Sequence, residues 1–355
     1  HPFRPWDLRP RGEDAAVPRD PVAWPSVAVC VPAHDEALLL PSTLPALLRQ
    51  DYPGDWSVVL VDDLSGDGTA ATARMLAGGD PRLAVVDGVA RPDGWVGKTW
   101  ALAQAVRAAG EPEWLLLTDA DIRHEPHSLR RLVAEAVAGG LVLDSRMALL
   151  QARTLPEKLL IPAFAFFFAG LYPMRLVNRG SRRFAAAAGG CVLVRRDALA
   201  AAGGIAAIAG QIIDDVSLAR RVAQVGRIRL ATSRRDVVSL RTYDTLGAVW
   251  RMVRRTAFDQ LGYSWLWLLL TMLGLSLLFV APPVLTVWGL AGGAWAVAAA
   301  AGGAWLLQTV LYLPAVRHFA LSPAWALTLA PAGVLYGLMT ADSARLHLLG
   351  RDGRW

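Results

Sequence analysis

From Ser264 through Asp342 the chain carries only two formal charges, Arg317 and Asp342, in a run dominated by Leu, Ala, Val and Trp. A stretch so poor in charge cannot clothe a water-soluble domain, and in hydrocarbon an open backbone satisfies its own polar groups by becoming helical. Spans of about 20 residues are predicted over 265–289, 294–316 and 322–341, within a membrane region 264–341 followed by a basic tail, 342–355. Pro282–Pro283 is expected to kink the first span, which neighbouring helices tolerate. Nearly all the acids lie before Ser264, so a globular domain of roughly 200–250 residues precedes the spans. Its positive charge places that domain on the cytoplasmic side. Three full crossings would then put Arg345, Arg351 and Arg354 outside, against the same rule, unless one stretch is re-entrant or the count is wrong.

Composition excludes some classes. The 355 residues are 54% hydrophobic with a net charge of +6, and of 36 basic residues only Lys98 and Lys158 are lysines. Arginine forks suit phosphate and anionic headgroups, although a GC-rich genome also spells basic residues as Arg. No basic run interleaved with aromatics is present, so no nucleic-acid partner is expected. Cys30 and Cys191 lack metal spacing and sit in apolar runs, as buried thiols do. Residues 1–26, rich in Pro and Arg, read as a juxtamembrane linker.

Short Val- and Leu-rich runs at 27–33, 58–63, 83–87 and 114–119 alternate with helical patterns near 42–50, 69–77 and 98–109. Strands buried on both faces of a parallel sheet require such runs, so the pattern predicts a doubly wound, Rossmann-like α/β domain over 27–260. Ligands of such sheets bind beyond the carboxyl ends of the strands. The acids collect there: Asp35 and Glu36 after His34, then Asp62 and Asp63, then Asp119 and Asp121. A dinucleotide fingerprint is missing, since the first turn reads PAHDEA, and no GxxxxGK[ST] occurs.

Asp119 and Asp121, in TDAD, stand two residues apart at a strand end. They fit either a polar turn or a site for Mg²⁺ or Mn²⁺, which takes one or two carboxylates and completes its shell with substrate phosphates. Asp63, in VDDLSGDGT, fits either a helix cap or an acceptor for nucleobase and ribose. Lys98 opens a helix in GWVGKTWALAQAV, where dipole and charge both favour anions. Asp214 and Asp215 begin an amphipathic helix in QIIDDVSLARRV, as caps or, beside a bound donor, as a base for an acceptor hydroxyl.

VPAHDE, VDDLSGDGT, TDAD, AAGGCVLVRRDAL and IIDDVSLARRV, in this order, resemble glycosyltransferase family 2, the inverting GT-A enzymes. GWVGKTWALAQ, LLIPAFAFFFAGLYPMRLVN and WRMVRRTAFDQLGYS bring the chain nearest to the hopene-associated members of hopanoid-producing bacteria. The resemblance implies that Asp35 or Glu36 and Asp63 hold the nucleoside, and that Asp119 and Asp121 hold metal and diphosphate. It makes Asp215 the general base with Asp214 beside it, and sets Gly189 to Arg196 along the sugar and acceptor side. Arg251, Arg254 and Arg255 match the basic spacing of a (Q/R)xxRW element, but Thr256 stands where Trp is expected, which favours single transfer over polymerisation.

The reading is therefore a membrane-bound, metal-dependent hexosyltransferase of the bacterial inner membrane. It is expected to move a sugar from a nucleotide donor, UDP-linked in this reading, to a lipid hydroxyl such as a hopanoid's. Its rivals are a nucleotidyltransferase and a non-catalytic membrane-tethered sugar-nucleotide binder. A single crossing by the hydrophobic segment 159–174 would separate Asp119 from Asp215, so 159–178 is expected at the interface, with Arg175, Arg179, Arg182 and Arg183 at anionic headgroups.

Overall fold

A computed structural model describes Leu8 and residues 20–350. Most of the N-terminal linker and the last five residues of the basic tail, Arg351 and Arg354 among them, lie outside the described residues.

Nine strands form: β1 Val27–Ala33, β2 Trp56–Asp62, β3 Leu83–Asp87, β4 Trp114–Leu117, β5 Ile122–His124, β6 Leu143–Met147, β7 Val192–Arg195, β8 Ile228–Thr232 and β9 Val237–Ser239. Seven of them make one sheet in the order β3-β2-β1-β4-β7-β6-β8. Pairing is parallel throughout except at β7, which runs antiparallel to β4 and to β6. The reversal decides where the site forms, because the start of β7 lies at the edge where β1 and β4 end. β5 and β9 make a separate antiparallel pair, with Ile122 opposite Ser239. The expected helices fall at Leu40–Leu48, Thr69–Ala77 and Gly97–Ala108.

The apolar strand runs follow from burial on two sides. Ala28, Cys30, Leu115 and Leu117 enter one core cluster, while Val27, Val29, Val31 and Leu116 enter the other. Alternate residues point to opposite faces and both faces are covered, so neither parity is polar. Cys30 and Cys191 are buried free thiols, and burial pushes both up to about 12.

The first core cluster runs on into the helical region through Tyr312, Val316, Leu329, Tyr336 and Met339. Four apolar stretches there are long enough to cross a membrane: Leu155–Val177, Trp265–Ala291, Trp295–His318 and Pro323–Leu348. The last three end at Ala291, His318 and Leu348, later than the 289, 316 and 341 read from sequence, and the first adds to the three expected. The first stretch opens with a capping box between Thr154 and Glu157, and its main helix ends at Leu171. Trp265–Ala291 passes through a π-helical turn at Ser276–Val280, just before Pro282–Pro283.

Trp265–Ala291 and Trp295–His318 form an antiparallel pair. The Gly289 backbone meets Ala298 so closely that an added Cβ would lie 2.9 Å from the Ala298 nitrogen. Gln308 Nε2 donates to the Leu278 carbonyl further along. The pair leaves the α/β domain where Phe258 packs on Trp265, ring centroids 5.1 Å apart. It returns where an Arg234 guanidinium nitrogen donates to the Arg317 carbonyl at 3.4 Å. The last helix, Leu329–Leu348, packs on Leu246–Gln260: Asp342 accepts from Trp250 Nε1 at 2.8 Å and pairs with Arg254 at 3.4 Å.

Candidate active site

The end of β1 is tied to the loop after β2. His34 Nδ1 lies 2.7 Å from the Asp63 carbonyl. The Asp35 backbone adopts the left-handed region, φ 53°, which a short polar side chain tolerates. Its amide donates to Ser65 Oγ at 2.9 Å, and its carboxylate accepts from Gly66 N at 2.9 Å. The Glu36 amide donates to Thr69 Oγ1 at 2.8 Å and the Ala37 amide to Asp67 Oδ2 at 3.0 Å. Asp35 thus ties the two loops together, which leaves Glu36 to face the other acids. Burial raises the Asp63 carboxyl, opposed by His34 and Arg91. Among the described residues, the neighbouring Asp62 Oδ1 is buried with no hydrogen-bond partner.

β4 ends in the D-x-D pair. The Thr118 hydroxyl donates to the Gly190 carbonyl at 2.8 Å and meets His124 Nε2 at 2.8 Å, fixing the strand end against the turn before β7. Burial lowers His124 to about 4, so it is a neutral core imidazole. Asp121 is buried, accepts from Ser239 Oγ at 2.6 Å and lies 3.6 Å from Arg241 Nε. Burial raises its carboxyl, the Asp119 charge raises it further, and Arg241 opposes both.

Lys98 joins this rim to the helix Asp214–Val222. Its Nζ lies 2.9 Å from Asp119 Oδ1 and 3.4 Å from Asp214 Oδ2. Burial disfavours the ammonium, yet Asp119, Asp214 and Asp215 together raise its pKa. Asp215 Oδ2 accepts from the Gly189 amide at 2.7 Å, and Oδ1 from the Val216 amide at 2.7 Å. Burial and then Asp214 push Asp215 up to about 7, against the pull of Lys98 and the two amides. A carboxylate at about 7 is matched to proton transfer near neutrality. The antiparallel β7 is what brings Gly189 here, and a Cβ on it would lie 3.1 Å from Lys98 Nζ and 3.4 Å from Asp215 Oδ2.

Three residues singled out in sequence fall elsewhere or only nearby. Arg254 is bound to Asp342, and Arg251 lies along its own helix near Gly247. Arg255 is the one of the three whose charge acts on Tyr243, beside the rim. Sequence reading overlooked Arg241, which salt-bridges Glu36 and faces Asp121. Its neighbours Ser239 and Tyr243 were overlooked with it. The only signal was the run of polar residues in SLRTYD after an apolar pair.

A mostly parallel sheet, an acidic rim at its carboxyl edge and a reversed strand preceded by Gly189–Gly190 define the GT-A fold. Residues 28–203, about half of the chain, match the model of Glycosyl transferase family 2, so the chain carries a domain of that family. No curated protein matches the chain. Among solved structures it is similar to the mannosyltransferase PcManGT from Pyrobaculum calidifontis in complex with GDP-Man and Mn²⁺. That match has 22% identity and a TM-score of 0.56, over 96% of this chain and 92% of that one. S. aureus TarS 1-349 in complex with UDP-GlcNAc matches at 17% identity and a TM-score of 0.40, over 66% of each chain.

Proposed function

We propose that this protein is a membrane-bound, metal-dependent inverting glycosyltransferase that moves a sugar from a nucleotide donor to a lipid hydroxyl. The observation that carries the reading is the bridge made by Lys98. It links the D-x-D aspartate Asp119 to Asp214, next to a carboxylate, Asp215, whose pKa suits a base at neutral pH.

The donor diphosphate belongs at Asp119 and Asp121, and the nucleoside along Glu36 and Asp63. The D-x-D pair fits a divalent ion, because Asp121 is buried beside Asp119, whose charge opposes ionisation of the Asp121 carboxyl. Mg²⁺ or Mn²⁺ held there supplies Lewis-acid stabilisation of the diphosphate charge. Asp215 takes the proton of the acceptor hydroxyl as its oxygen bonds to the anomeric carbon. The bond from that carbon to the diphosphate oxygen breaks on the opposite face, and configuration inverts. The Gly189 and Val216 amides hold the Asp215 carboxylate in place for this role, and Lys98 offsets charge on the departing diphosphate.

The acceptor reading rests on where the base opens. The Asp215 charge acts on Tyr172, at the end of the apolar helix Leu155–Leu171, and the Tyr172 hydroxyl donates to Gln260 Oε1 at 2.8 Å. Gln260 closes the last helix before Trp265, so the base stands beside the root of the membrane region. Trp265 and Trp267 at that root and Trp288 and Trp295 at the far turn are all exposed. The helix from Trp265 to Trp288 is about 34 Å long at an α-helical rise of ~1.5 Å per residue, close to the ~30 Å of a bilayer core. Interfacial tryptophans at both levels suit that reading. A hopanoid polyol is one acceptor of the right class.

Topology follows from the same contacts. The pair 265–318 starts at Phe258 and returns to Arg234, and the last helix ends at Trp250 and Arg254. The pair therefore goes in and comes back, and Arg345 stays on the side of the catalytic domain, in accord with the positive-inside rule. In this reading the conflict raised by three full crossings does not arise.

The test is nucleotide release by the purified protein in detergent, from a panel of UDP-sugars and GDP-mannose, with Mn²⁺ or EDTA, with and without a hopanoid polyol. Release that needs metal and acceptor, and that Asp215→Asn abolishes, is the expected result. Metal-dependent nucleotide binding without release from any donor would favour a binding protein instead.

A further inference from the structure

Arg241 touches both Glu36 and Asp121, and nothing in the function above uses it. Its backbone is pinned on both sides. The Leu240 amide donates to the Asp121 carbonyl at 2.9 Å, and the Tyr243 amide to Glu157 Oε1 at 2.8 Å. Its side chain is nevertheless 45% exposed, against 9% for the Glu36 side chain it covers. The guanidinium can therefore turn toward the open rim while the loop stays fixed.

Charge decides what it turns toward. Lys98 offsets Asp119, and Arg241 offsets Glu36 and Asp121. A divalent ion entering with a diphosphate adds almost no net charge, so neither resident cation is displaced from the site as a whole. The ion needs carboxylate oxygen from Asp121, where the guanidinium now faces, and two cations on one carboxylate repel. The arriving diphosphate offers that planar guanidinium two oxygens that accept a pair of parallel hydrogen bonds.

We propose that Arg241 is an exchangeable counter-ion of the acidic rim: it holds Glu36 and Asp121 together in the free protein and transfers to the donor diphosphate when a divalent ion takes its place on Asp121. This rests on the donor-site reading above. Two opposite effects follow from removing it. Without nucleotide, the divalent ion no longer competes with a resident cation and binds more tightly. With nucleotide, one charge-assisted phosphate contact is lost and binding weakens.

The experiment is Mn²⁺ titration of the full-length protein in detergent, followed by electron paramagnetic resonance, for wild type, Arg241→Ala and Arg241→Lys, each with and without UDP. Arg241→Ala is expected to bind Mn²⁺ alone several-fold more tightly than wild type. It is expected to bind UDP in saturating Mn²⁺ about tenfold or more weakly, the effect of a lost charge-assisted contact. Arg241→Lys, which keeps the charge without the fork, should fall between on both measures. A loss of affinity for Mn²⁺ alone as well as for UDP would mark Arg241 as a structural clamp and overturn the proposal, as would no change in either. If wild type binds UDP without any dependence on Mn²⁺, the donor-site reading itself fails, and this proposal fails with it.

Discussion

Replacing Lys98 with Met should move the acid limb of the pH–rate profile, and the sign follows from the site. Asp215 stands at about 7 because burial and Asp214 oppose its charge, while the Lys98 charge favours it. As a base it works ionised, so activity in the wild type should rise with pH through about 7. Removing an opposite charge at close range raises a carboxylate pKa by about 1–3 units. At pH 7 the ionised fraction would then fall from about half to a tenth or less. The assay is nucleotide release from pH 5.5 to 9.5 at saturating metal, with kcat and kcat/KM fitted separately. Lys98→Met also weakens the diphosphate side, so the amplitude drops at every pH. The position of the limb is what isolates the effect on Asp215. A limb that stays near 7 or moves down would refute the assignment of Asp215 as the base under the influence of Lys98.

Asp215→Asn keeps the shape and one of the two amide contacts, sets its NH2 against the other amide and cannot take a proton; kcat should fall by about 10²–10⁴ while nucleotide affinity, measured by calorimetry, stays within a few-fold. Gly189→Ala puts a methyl 3.1 Å from Lys98 Nζ and 3.4 Å from Asp215 Oδ2. A tenfold loss in kcat, equal to about 1.4 kcal/mol, is expected with an unchanged melting temperature. Asp342→Ala strips the acceptor from Trp250 Nε1 and the partner from Arg254. A loss of about 1–3 kcal/mol, seen as a lower Tm in detergent, should exceed that of Trp250→Phe. Native Cys30 and Cys191 are buried, so single cysteines at Arg179 and Leu349 can be mapped in oriented vesicles. Both should react from the same face, and opposite faces would restore an odd number of crossings.

The strands and their polar ends were legible because a parallel sheet buried on both sides leaves an unbroken apolar run that stops where ligand chemistry begins. β1 and β3 fall on the residues read from sequence, and β4 stops at Leu117, two residues short, because the chain turns at once into Asp119. Arg241 was not legible for a converse reason. It reaches the rim through β9, three residues paired with the three of β5, and strands that short carry no periodicity. Arg254 looked like a site residue because spacing along a helix does not say which face meets the catalytic domain. Asp342, 88 residues further on, is what claims it.

Hydropathy could count apolar stretches but not their ends, and the ends carry the functional argument. Leu160 accepts through its carbonyl from Tyr336 Oη at 3.0 Å, and Phe166 packs on Tyr312 at 5.3 Å, so the first apolar helix is built into the others. Glu157, at the start of that helix, holds the Tyr243 amide beside Arg241. The N-terminal end of this helix therefore touches the loop of the donor rim, while Tyr172 just past its other end answers to the base. One rigid apolar rod spans from donor to acceptor side. Under the proposed function, a lipid acceptor entering beside that helix would bring its hydroxyl toward Asp215 at the end where Tyr172 meets Gln260.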